Sequence, residues 1–131
     1  MKSLQLLLVC FCGYGSLHAQ PSLVDDINPS GSGYPHELTV LNNKLYFYAE
    51  TDSFGGELWV YDGANPPAMV ADLYPGMNSS IMFSEYDDVR FPVIGNKMFM
   101  NADNGVSGFE LYSYDGSGSP QMVVDLNNQN S

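Results

Sequence analysis

Residues 43–73 overlay residues 96–126 without a gap, at a constant offset of 53, with 14 identities in 31 positions. The first copy holds Asn43-Lys44-Leu45-Tyr46-Phe47, Ala49, Gly55, Glu57-Leu58-Trp59-Val60-Tyr61-Asp62-Gly63 and Met69-Val70-Ala71-Asp72-Leu73. The second holds Asn96-Lys97-Met98-Phe99-Met100, Ala102, Gly108, Glu110-Leu111-Tyr112-Ser113-Tyr114-Asp115-Gly116 and Met122-Val123-Val124-Asp125-Leu126. A fixed period of this size constrains the fold more than any composition does, because one repeat cannot bury its own apolar face and must stack on a neighbour.

Each copy reads as four short strands. In the first, residues 36–41 are followed by the turn pair Asn42-Asn43, and 44–50 are rich in residues that suit a pleated surface. Residues 57–61 alternate before Asp62-Gly63, a strong turn dipeptide, and 68–73 close the unit. The second copy predicts strands at 88–94, 97–103, 110–114 and 121–126, with Gly95-Asn96 and Asp115-Gly116 as turns. No stretch carries a helical period, so the chain is expected to be all-β.

An earlier fragment, Leu23-Val24-Asp25-Asp26-Ile27-Asn28-Pro29, matches residues 69–75 at an offset of 46. It reads as the last strand of a preceding repeat. The change of offset from 46 to 53 places about seven extra residues between Gly76 and Ile94, including the acidic cluster Glu85-Tyr86-Asp87-Asp88. Four strands per repeat of this length predict β-propeller-type blades, counted about two and a quarter times. The expected division is 1–19 leader, 20–35 last strand of a preceding blade and linker, 36–73 first blade, 74–87 linker with insertion, and 88–131 second blade and C-terminal stub. Two blades cannot close a ring, which predicts either further blades from a parent chain or assembly of several copies.

The segment Glu57-Leu58-Trp59-Val60-Tyr61-Asp62-Gly63 resembles the bacterial ELWxxDGT repeat. Val70, Asp72, Leu73, Pro75, Gly76, Ser79 and Ser80 are similar to the family's VxDIxPGxxSS portion, and Leu45, Tyr46, Phe47 and Ala49 to its LYFxA portion. Ala64 and Ser117 stand where the family has threonine, and Tyr112 replaces the tryptophan. The resemblance covers nearly all of the chain beyond its leader. It implies a secreted or surface protein with propeller-like repeats and carries no established activity.

The N-terminal stretch supports export. Lys2 precedes an apolar run from Leu4 to Cys12, and Leu17-His18-Ala19 reads as a cleavage site before Gln20, the pattern expected of a signal peptide. The run is too short to span a bilayer, for which about 20 apolar residues are needed. Both cysteines, Cys10 and Cys12, fall in this removable segment, so the mature chain is expected to lack disulfides. It keeps all 15 acidic residues against Lys44, Arg90 and Lys97. Such a surface repels phosphate backbones and anionic headgroups, which excludes nucleic acid and membrane surfaces as expected partners.

Repetition also sorts the polar residues. Those that recur, Glu57 and Glu110, Trp59 and Tyr112, Asp62-Gly63 and Asp115-Gly116, Asp72 and Asp125, are expected to build the blade. A glycosidase pair needs two carboxyl groups in different surroundings about 5–10 Å apart, whereas repeat-equivalent acids sit in like ones. His36 is the one histidine outside the leader, with no nucleophile motif beside it, so no catalytic residue is assigned. The Gly-containing loops 50–55 and 103–108 offer oxygen ligands from Glu50, Asp52 and Asp103 that suit calcium, with solvated Asx-turns as the alternative. Non-repeating residues are freer to bind, which singles out Glu85, Tyr86, Asp87 and Asp88. The expected function is a non-enzymatic extracellular scaffold for a glycan or protein. A lectin-like ring of two-blade chains and a segment of a propeller hydrolase stay open beside it.

Overall fold

The computed structural model describes residues 20–81 and 91–126. The leader, Glu85, Tyr86, Asp87, Asp88 and the last five residues lie outside them. Within the described residues the chain is all-β, with no helix and no closed barrel. Strands β1 (His36–Leu41), β2 (Lys44–Thr51), β3 (Gly55–Tyr61) and β4 (Ala68–Ala71) form one antiparallel sheet in sequential order. Strands β5 (Val93–Ile94), β6 (Lys97–Asp103), β7 (Phe109–Tyr114) and β8 (Gln121–Val124) form a second in the same way.

The pairing of one sheet recurs in the other 53 residues on. Leu45 faces Tyr61 and Ala49 faces Glu57, as Met98 faces Tyr114 and Ala102 faces Glu110. Even the irregularity recurs: the ladder to the last strand slips between Leu58 and Trp59, and again between Leu111 and Tyr112. Such a slip bends a strand and sharpens its twist.

The turns follow from residue type. Asn42 and Asn43 both have positive φ (50° and 60°), the left-handed pair that a two-residue hairpin needs. Asp62 Oδ1 accepts from the amides of Ala64 and Asn65 at 2.9 and 2.8 Å, and Asp115 Oδ1 from that of Ser117 at 3.0 Å. These are Asx-turns, and the three donors from Ala64 and Asn65 hold the Asp62 carboxyl down at about 2.

Three expectations need adjusting. The closing strands stop at Ala71 and Val124 rather than Leu73 and Leu126, because the amides of those leucines turn away to side-chain carboxylates. The opening strand of the second sheet is Val93–Ile94, with the earlier expected residues 88–90 outside the described ones. Residues 23–29 form no strand and join neither sheet; Leu23, Val24 and Ile27 instead lie along a groove with Leu38, Leu45, Phe47 and Tyr61.

The two sheets share one core. Tyr46, Tyr48 and Leu58 of the first meet Met98, Met100, Ala102, Tyr112 and Tyr114 of the second, with Ile81 and Phe91 from the connection. Tyr46 and Tyr114 meet edge to face, centroids 5.5 Å apart. At the rims, Thr39 Oγ1 donates to the Phe91 carbonyl at 3.1 Å and Asn42 Nδ2 to the Asp115 carbonyl at 2.9 Å.

Candidate functional site

The most structured polar centre lies where the chain leaves the first sheet for the second. Glu57, on β3 opposite Ala49, is 1% exposed. Its Oε2 accepts from the Leu73 amide at 3.3 Å, and its Oε1 from the Ser80 amide at 3.3 Å. The Ser80 hydroxyl closes a further, short bond to Oε2. Burial pushes the Glu57 carboxyl up to about 7, Asp72 nearby adds to this, and the hydrogen bonds pull the other way. Glu110 has the matching place in the second sheet. It is 2% exposed, and its Oε2 accepts from the Leu126 amide at 2.9 Å.

Residues 79–81 then stitch the sheets together. The Ser80 and Ile81 amides donate to the Gly56 carbonyl at 3.0 and 3.3 Å, and the Gly56 amide donates to Ser79 Oγ at 2.9 Å. In the other direction, the Ser80 carbonyl accepts from the Asp103 amide of β6 at 2.8 Å. The N-terminal segment makes the matching bond one unit earlier: the Gly33 carbonyl accepts from the Glu50 amide at 2.8 Å, and Glu50 is the counterpart of Asp103.

Glu50, Asp52 and Asp103 do not come together as a cation site, and no group of three His, Cys, Asp or Glu suited to a metal exists among the described residues. Asp52 instead accepts from Asn28 Nδ2 at 3.2 Å and Ser30 Oγ at 2.6 Å, latching the N-terminal segment to the β2–β3 turn. Asp103 Oδ1 accepts from the Gly105 amide at 2.7 Å, the Asx-turn alternative. Glu50 Oε1 receives a short bond from the Tyr48 hydroxyl.

Around Tyr48 lies a cluster that sequence reasoning did not single out. His36 stacks on its ring at 4.3 Å, and Glu37, at φ 57°, has its carboxyl pushed up to about 7 by burial. Burial likewise lowers His36 and raises Tyr48. A bulge between His36 and Thr39 turns these side chains inward, and nothing in their residue types announces it. Ser79 and Ser80, by contrast, stood in the family pattern, but only the fold shows what they hold.

The remaining recurring residues lie outside this centre. Tyr112 sits in the shared core at 2% exposure, and Trp59 is half-buried on the other face of the first sheet. Asp72 Oδ2 accepts from the Gly76 amide at 3.2 Å, while Asp125 follows β8 at the surface. Gly63 and Gly116 take φ of 89° and 96° in their turns. A polar cleft of about 310 Å³ lies against Lys97, Tyr114, Asp115 and Gln121, and an apolar groove of about 260 Å³ against Leu23, Leu38, Leu45, Phe47 and Tyr61. Neither Glu57 nor Glu110 lines either of them. No protein-family model, curated protein or solved structure matches the chain.

Proposed function

We propose that this chain is a repeat segment of a secreted, non-enzymatic scaffold built from β-propeller-type blades of the ELWxxDGT kind, and that its work is binding or adhesion outside the cell. One observation carries this reading. The buried carboxylates that recur, the strongest catalytic candidates by burial, each accept the amide sixteen residues on that ends the last strand of its unit. A carboxylate enclosed and engaged in this way caps a strand end and has no open face for a substrate. The ligand surface then belongs to what does not recur, foremost the insertion with Glu85, Tyr86, Asp87 and Asp88, and the ligand is a glycan or a protein.

Arrays of extracellular glycans and surface proteins test it, with hydrolysis products measured on the same spots. Binding without turnover, weakened by replacing residues 85–88 with Gly-Ser, is the expected result. Turnover that disappears in a folded Glu57→Gln or Glu110→Gln variant would overturn it.

A further inference from the structure

Each sheet has two faces, and only one pair of faces is joined within the chain. On the first sheet, Tyr46, Tyr48 and Leu58 are 1%, 1% and 2% exposed because the second sheet lies over them. Their counterparts on the second sheet are Phe99, Asn101 and Leu111, of which Asn101 is exposed and Leu111 is 39% exposed. Val70 and Leu73 pack against the shared core, whereas Val123 and Leu126 in the same places are 50% and 73% exposed. At the other end, Leu45 and Tyr61 correspond to Met98 and Tyr114, which the join buries; they are half-buried and line an apolar groove that Leu23, Val24 and Ile27 also line, while Phe47 on the same face is 5% exposed. The chain thus carries, at opposite ends, a second copy of each half of its own internal interface, the first-sheet half shared in part with residues 22–27, of which Leu23 and Val24 are themselves exposed.

We infer that a second copy of this chain docks head to tail, the Leu45–Tyr61 face of one copy covering the Leu111–Val124 face of the next. This rests on the repeat-scaffold reading. The occupant is specified by continuity: the surface that fits the second sheet's outer face is the one the second sheet itself uses against the first. The incoming copy also brings its linker, since the Gly33 carbonyl already holds the Glu50 amide as the Ser80 carbonyl holds that of Asp103. Glu110 stands in the receiving sheet where Glu57 stands beside Ser80. The contact is heterologous, so it closes into a ring or extends as a filament. With a formal net charge of −11 on the whole chain, copies repel at low salt, and association strengthens as salt screens them.

Sedimentation and light scattering of the purified chain, from about 1 to 100 µM in low and high salt, give the primary readout. Species larger than a monomer that grow with protein and salt concentration are expected. Leu111→Arg blocks the outer face of the second sheet and Leu45→Arg the groove face of the first, so each alone is monomeric. Mixed one to one, they form a dimer and nothing larger, because only one junction per pair is intact. Circular dichroism checks that each variant keeps its sheet signal, with Val124→Lys, 44% exposed on the same face, replacing Leu111→Arg if that one unfolds. A folded monomer at the highest concentration and salt, or a dimer indifferent to both substitutions, overturns the inference. If that monomer still binds on the arrays, the scaffold reading stands without it; if the stack forms and binds nothing, the scaffold reading fails alone.

Discussion

At the scale of single residues, Glu57 couples folding to pH. Its carboxyl keeps a proton up to about pH 7 in the folded chain, against an ordinary value of 4.5. The folded state therefore binds more protons than the unfolded one between those limits, and stability from this group is complete below 4.5 and lost as pH rises through 7. Glu37 acts in the same direction, His36, lowered by burial, opposes both as pH falls below its ordinary 6.5, and Asp62, held near 2, changes only in strong acid. The melting temperature should rise from pH 8 to pH 5.5. Glu57→Gln should lower it throughout, because an amide nitrogen meets one of the two backbone donors, at a cost of about 1–3 kcal/mol. The same substitution should flatten the slope, and an undiminished slope in melts of Glu57→Gln would show that the proton sits elsewhere. That Glu57 and Glu110 share one kind of place, buried on matching strands, was legible from their recurrence. What they hold was not, because a strand-ending amide sixteen residues away leaves no mark in the residue types.

Among the elements, the two linkers solve one problem by different chemistry. Asn28 and Asp52 are joined by a hydrogen bond, while at the matching places the Tyr74 ring lies so close over Gly105 that a Cβ there would overlap it. Asp52→Ala should free residues 28–33, read as faster hydrogen exchange at the Gly31 and Glu50 amides with that of Asp103 unchanged. Equal acceleration at Asp103 would mean the latch serves the whole fold. Strand order and hairpin positions were legible because Asn42-Asn43, Asp62-Gly63 and Asp115-Gly116 fix their turns from within. Strand ends were less so: Leu73 and Leu126 continue the apolar alternation, yet their amides leave the ladder for a carboxylate. The oxygen-rich loops left calcium and Asx-turns both open, because a carboxylate's hydrogen-bond partner is set by which linker reaches it, and spacing along the chain does not encode that reach.

The two sheets share one core among the described residues, so they should unfold together. Met98, fully buried in the second sheet, packs in the same cluster as Tyr46 and Tyr48 of the first. Met98→Ala should cost about 2–5 kcal/mol and lower protection of β2 amides as much as β6 amides, in one transition. Two separate transitions, with β2 protection retained, would show that each sheet stands alone. Ile81 and Phe91 are 3% and 4% exposed, each anchored in the core on its own side of the insertion. Ile81 and Phe91 thus fix both ends of the stretch between them, and added length between fixed ends costs little free energy. Foreign sequence of various lengths inserted between these two anchors should therefore leave both sheets in place, read as an unchanged sheet signal and melting temperature.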